Sequence, residues 1–154
     1  MGMSTHQLAQ MNIGVIKGPM DSPVMADFAA NLDRINALAE AAPGFVWRLQ
    51  TEEGDATALR PFENENMLVN LSVWRDVEAL SAYAYQTAHV EMMRRRREWF
   101  ERMDEAFLVL WWVPAGHRPG VDEAMARLRV LRTEGPTAEA FHFGKPFAPP
   151  QAVS

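Results

Sequence analysis

At 154 residues, with 48% hydrophobic and 23% charged side chains and a net charge of −5, the sequence fits one globular domain over 1–154 and excludes a disordered polymer. It has no cysteine, which removes disulfides, thiolate metal sites and thiol nucleophiles, and its acidic balance argues against a nucleic-acid partner. No apolar run nears the ~20 residues of a membrane span, and MGMSTHQLAQ lacks the basic start and apolar core of a secretory leader, so a cytoplasmic protein with no membrane partner is expected.

The segment His6 to Lys17 alternates as a strand. One face (Ala9, Met11, Ile13, Val15) is apolar, whereas the other carries Gln10 and Asn12, an unusual choice for a core face. A breaker cluster, Gly18 to Pro23, precedes a helix from Pro23 to Ala42. Its inward stripe is Val24, Phe28, Leu32, Ile35, Leu38 and Ala39. FVWRLQ (45–50) reads as a second strand, with Phe45, Trp47 and Leu49 on one side and Val46, Arg48 and Gln50 on the other. The polar connection 51–66 reads as a long hairpin or flap. Met67 to Trp74 is the third strand. Its row Met67, Val69, Leu71, Val73 is apolar, and its row Leu68, Asn70, Ser72, Trp74 is mixed.

A helix from Asp76 to Gln86 follows, then a break near Thr87-Ala88, then a helix from His89 to Met103. On that last helix His89, Met92, Met93, Arg96, Trp99, Phe100 and Met103 share one stripe. Of the four consecutive arginines 94–97, Arg96 alone points inward. A buried arginine needs an acid, a carbonyl or a bound anion. Arg96 therefore pairs with an internal acid such as Glu78 or faces a ligand, and His89 is a satisfied core histidine or a ligand contact. The other three arginines have i,i+4 acids (Glu91–Arg95, Arg94–Glu98, Arg97–Glu101), as a solvated helix face would. Phe107 to Val113 is an apolar, central fourth strand, and Val121 to Glu134 an appended helix. An aromatic tail from Phe141 to Phe147 is expected to pack on the body.

The order is β-α-β-β-α-β, which predicts an α+β, ferredoxin-like subunit: a four-stranded antiparallel sheet with helices on one face. The apolar rows on the other face predict a homodimer whose two sheets pack together. The four histidines share no metal-binding spacing, so no metal is expected. There is no phosphate loop and no GxSxG elbow, so no nucleotide cofactor is expected either. His117 follows Trp111-Trp112-Val113-Pro114-Ala115-Gly116 at a strand end, where loop residues often bind ligands or simply shape the turn.

The runs AQMN, FVWRLQ, LVNLSVW, EALSAYAYQTAHVEMMRRRREWF and LWWVPAGH together resemble the bacterial DUF3291 family over nearly the whole chain. That family is placed in the dimeric α/β-barrel superfamily, beside antibiotic-biosynthesis and haem-degrading monooxygenases. The resemblance implies a dimeric α/β barrel and a small aromatic or apolar ligand. In the haem-degrading relatives an asparagine on the first strand, a tryptophan in the middle helix and a histidine about ten residues later form the site. Asn12 and His89 are similar to the first and last, and Ala79 stands where the tryptophan would be. Two readings follow. One is a cofactor-independent, monooxygenase-like enzyme for an aromatic or polyketide-like substrate. Its cavity is lined by Asn12, Arg48, Asn70, Trp74, His89, Arg96 and Trp99, with His89 as base and Arg96 or Asn12 as anion stabiliser. The other is a non-catalytic dimeric module that binds an aromatic ligand or haem.

Overall fold

The computed structural model describes residues 5–19, 21–49 and 67–149; the connection read above as a flap lies outside them. The elements run β1 (His6–Val15), a 3-10 turn (Pro23–Met25), α1 (Ala26–Ala41), β2 (Phe45–Arg48), β3 (Met67–Trp74), α2 (Val77–Ala84), α3 (Thr87–Arg94), α4 (Arg96–Trp99), β4 (Leu108–Pro114) and α5 (Val121–Glu134). The strands form one sheet in the order β2-β3-β1-β4, and every neighbouring pair is antiparallel. This is the ferredoxin-like arrangement that the element order predicts.

Strand registers separate two faces. Met11 stands opposite Leu71 and Val109, and Ala9 opposite Val73 and Trp111. Those rows meet Ala124, Leu128 and Leu131 of α5 in one buried cluster. The opposite rows, Leu8, Trp74 and Leu110, pack with Ala39, Leu80 and Tyr83 of α1 and α2. Two expectations change here. The helices are not confined to one face, because the appended helix α5 crosses to the second. Of the apolar rows that argued for a sheet-on-sheet dimer, Met11, Ile13, Val69, Leu71 and Val73 are at most 2% exposed within this one chain and Val15 is half-buried, so they do not themselves require a partner subunit.

Local chemistry explains most boundaries. Asp76 caps α2 by accepting from the Ala79 amide at 2.8 Å, satisfying an otherwise orphan donor of the first turn. Gly44 takes φ +84° at the turn before β2, where an added Cβ would stand 2.4 Å from that of Ala79. The tail packs as expected: Phe141 is fully buried and pairs with Leu110 through two backbone hydrogen bonds.

Three readings fail for identifiable reasons. Strict alternation fails in β2: the register shifts between Phe45 and Trp47, so Phe45 joins Trp74 on one face while Trp47 joins Val73 on the other. Such a bulge turns the strand by one residue. Val24 lies in the 3-10 turn rather than in α1 and is 43% exposed. The helix predicted from His89 to Met103 is interrupted at Arg95 (φ −91°, ψ 4°) and ends at Trp99. Beyond it the chain is extended at Phe100 and pairs with the end of β1, through Glu101 N–H to the Val15 carbonyl and Lys17 N–H to the Trp99 carbonyl, each 2.8 Å. Met103 therefore leaves the His89 stripe and packs against the α5 cluster. The expected i,i+4 pairs give way to Arg95 bridging Glu98 (2.9 Å) and Asp27 (2.6 Å).

Candidate functional site

A cavity of about 380 Å³ lies between the Leu8–Gly14 face of the sheet and helices α1 to α4. Its floor is the face that looked too polar for a core. Gln10 is 4% exposed and Ser72 6%. The Gln10 side-chain amide donates to Asn70 Oδ1 at 2.7 Å and to Ser72 Oγ at 2.9 Å. Asn12 donates to Gln10 Oε1 at 3.1 Å, and the Trp74 indole N–H donates to Ser72 Oγ at 2.8 Å. The antiparallel register makes this possible, because Gln10 stands opposite Ser72 and Asn12 opposite Asn70. An indole N–H is donor-only, so it fixes Ser72 Oγ as an acceptor. The amides then have capacity left toward the cavity.

One wall is aromatic. Phe45 meets Trp74 edge-on at 5.3 Å, Trp74 stacks on Tyr83 at 5.2 Å, and Tyr83 lies 4.9 Å from the His89 ring. Burial pushes the Tyr83 phenol up to about 12, opposed by the Arg48 charge; the neutral hydroxyl donates to the Ile35 carbonyl at 3.2 Å. His89 sits in the first turns of α3, and its Nδ1 is 3.0 Å from the Ala84 carbonyl. A carbonyl only accepts, so Nδ1 carries the proton and Nε2 keeps its lone pair in the neutral ring. Burial lowers the His89 pKa, against the effect of that backbone hydrogen bond.

Arg96 occupies the other end. Its guanidinium lies 4.7 Å from the Phe100 ring centre and 4.4 Å from that of Phe107, and it donates to the Ile13 carbonyl at 3.3 Å. Burial lowers its pKa. Glu78, the acid weighed as its partner, is exposed on α2 and forms no ion pair with it. Arg48 also borders the cavity and pairs with Glu40 at 2.7 Å. The exposed side chains Tyr85 and Met93 complete the outer rim.

Asn12, Arg48, Asn70, Trp74, His89, Arg96 and Trp99 thus border one cavity. His117 does not. It follows β4, and its Nε2 is 2.7 Å from Glu123 Oε1, while the other Glu123 oxygen accepts from the Trp111 indole at 3.0 Å. Burial raises the Glu123 pKa, but the His117 and Trp111 hydrogen bonds outweigh it and the net shift is downward. His117 ties the β4–α5 turn to the helix, which is the turn-shaping alternative of its sequence reading, and as a candidate ligand residue it stands apart from this cavity. Gln10, Ser72 and Tyr83 were not singled out as site residues. Gln10 could have been, since it shares the odd polar row with Asn12.

The match to "Domain of unknown function (DUF3291)" covers residues 7–154. The chain belongs to this family. No curated protein matches it. Among solved structures it is similar to a putative antibiotic biosynthesis monooxygenase from Nitrosomonas europaea, with TM-score 0.50, 10% identity, 78% of this chain and 100% of the other covered. It is also similar to SnoaB, a cofactor-independent oxygenase from Streptomyces nogalater, with TM-score 0.48, 20% identity, 73% and 95% covered. A dabb family protein with a ferredoxin-like fold from Mesorhizobium loti gives TM-score 0.43 and 16% identity, with 71% and 99% covered. At these identities the likeness is one of fold. The haem-degrading pattern fits poorly: Ala79 is 4% exposed and packs against Gly44, leaving no room there for an indole. No helix among the described residues is long and apolar enough to cross a membrane, and they contain no cluster of metal-binding side chains.

Proposed function

We propose that this protein is a small-molecule enzyme that deprotonates an enolisable aromatic or polyketide-like substrate and passes the carbanion to O2 without a cofactor. The observation that carries this reading is His89: an imidazole held by Ala84 in the tautomer that leaves Nε2 basic, kept neutral by burial, and bordering an aromatic-walled cavity with an amide floor. A base must be unprotonated to remove a proton, and preorganised amide donors suit a developing oxyanion. His89 takes a methylene proton, and Asn12 meets the enolate charge. The carbanion gives an electron to O2 and recombines to a peroxide, which is protonated; loss of water then leaves a ketone. One CH2 and one O2 become one C=O and one H2O.

The test is oxygen uptake with anthrone and a hydroquinone panel. Wild type should exceed buffer, and His89→Gln should lose roughly 10²–10⁴-fold in rate, the usual worth of a positioned base. Uptake equal to buffer, or unchanged in the variant, refutes the proposal. A retained chromophore with a Soret-type band that shifts in His89→Ala would instead favour the binding module. The proposal includes the homodimer implied by the family resemblance; a monomer in sedimentation at micromolar concentration would remove that part.

A further inference from the structure

Among the described residues that border the cavity there are two arginines and no aspartate or glutamate. The whole chain carries 20 acidic against 15 basic side chains, so the lining reverses the sign of the protein. Arg48 has Glu40. Arg96 has two aromatic rings, one long hydrogen bond to a main-chain carbonyl, and no ion pair among the described residues. A guanidinium offers five donors in a planar fork, and most of these have no acceptor here. Its neighbour Arg95 shows the contrast: half-buried like Arg96 but outside the cavity lining, it is bound by Asp27 and Glu98. The fold therefore supplies acids to the arginine outside the cavity and withholds them from the one that borders it.

Local geometry holds Arg96 in this setting. The break at Arg95 starts a new helical turn at Arg96. Gly14 lets the group lie against β1, since a Cβ there would come within 3.2 Å of an Arg96 terminal nitrogen. Neutral amides on the floor suit a charge that appears only during reaction. A full cation kept clear of acids also suits a charge the ligand brings with it.

We propose that Arg96 anchors a permanent carboxylate, so that the molecule bound here is a flat aromatic acid. The carboxylate takes the free face of the guanidinium fork, and the rings lie along the wall formed by Trp74, Tyr83 and His89. This rests on the reading of the cavity as a substrate site and narrows the substrate class.

The probes are anthracene-2-carboxylate and its neutral, near-isosteric carboxamide, titrated by quenching of the protein's tryptophan fluorescence. Wild type should bind the acid at least roughly tenfold more tightly than the amide, as expected for a charge-assisted bidentate contact. Arg96→Met should bind both alike, and Arg96→Lys should keep part of the preference. Equal binding by wild type, binding of neither probe at millimolar concentration, or a preference that survives in Arg96→Met overturns the assignment. If Arg96→Met does not fold, the wild-type ratio and Arg96→Lys still decide. A preference for the acid with no oxygen uptake on anthrone would leave the anion site standing and remove the oxygenase. Uptake on anthrone with no preference between the probes would do the reverse.

Discussion

Replacing Gly14 with alanine tests the link between β1 and the Arg96 end of the cavity. Gly14 is buried, and an ideal Cβ on it stands 2.5 Å from Phe100 Cδ1, 2.8 Å from Cε1 and 3.2 Å from an Arg96 terminal nitrogen. Ordinary carbon contacts are about 3.5–4.0 Å, so the ring must retreat by roughly 1 Å. It has little room: Phe28 meets it edge-on at 5.3 Å, Arg96 lies 4.7 Å from its centre, and its backbone bridges to Ile16. Overpacking of this kind costs about 1–3 kcal/mol. At about 2–4 °C per kcal/mol for a domain of this size, Gly14→Ala should lower Tm by roughly 2–12 °C. Far-UV circular dichroism melts measure it. Adding Phe100→Leu should return part of the loss, because the two changes share one contact. A Gly14→Ala melt within about 1 °C of wild type, or strict additivity in the double variant, would refute the steric argument.

Other consequences follow from the same contacts. Ser72→Ala removes the acceptor of a buried indole N–H, so the urea midpoint should fall by the equivalent of about 1–3 kcal/mol; an unmoved midpoint would show that the Trp74 hydrogen bond matters little. The His89 pKa in the folded protein lies below its ordinary 6.5, so the unfolded chain takes up this proton first as pH falls. The contribution is full above about 6.5 and is lost as pH drops below it, until the folded ring also protonates. Imidazole proton shifts should titrate below 6.5, and His89→Gln should flatten that part of the stability profile; a midpoint at or above 6.5 contradicts the burial argument. His117→Ala should leave ligand binding at the cavity unchanged while shifting the environment of Trp111, read by indole NMR; a large loss of binding would return His117 to the site.

Much of the fold was legible because periodicity reports which side of an element meets a core. β3 and α5 were read to their observed bounds, and the odd polar row of β1 pointed to the cavity floor. What stayed hidden depends on contacts distant in sequence. The bulge that separates Phe45 from Trp47 exists only in the pairing with β3. The end of the Arg96 helix at Trp99 is set by pairing of the following residues with β1, not by any local breaker such as glycine or proline. α5 reads as an ordinary amphipathic helix, and its sequence does not say which sheet face it covers. For that reason an apolar second face does not by itself call for a dimer. Arg96 was read as inward from a helical wheel drawn through a break; it does border the cavity, but a new helical turn and the space above Gly14 put it there.

The most direct test of the central claim isolates the proton-removal step. Under argon, with O2 excluded, anthrone in deuterated buffer exchanges its methylene protons at a rate that NMR follows. Wild-type protein should accelerate this exchange over buffer, and His89→Gln, folded by the same spectrum, should return it to the buffer rate. Exchange at the buffer rate with wild type, or equal acceleration by the variant, would contradict His89 as the base.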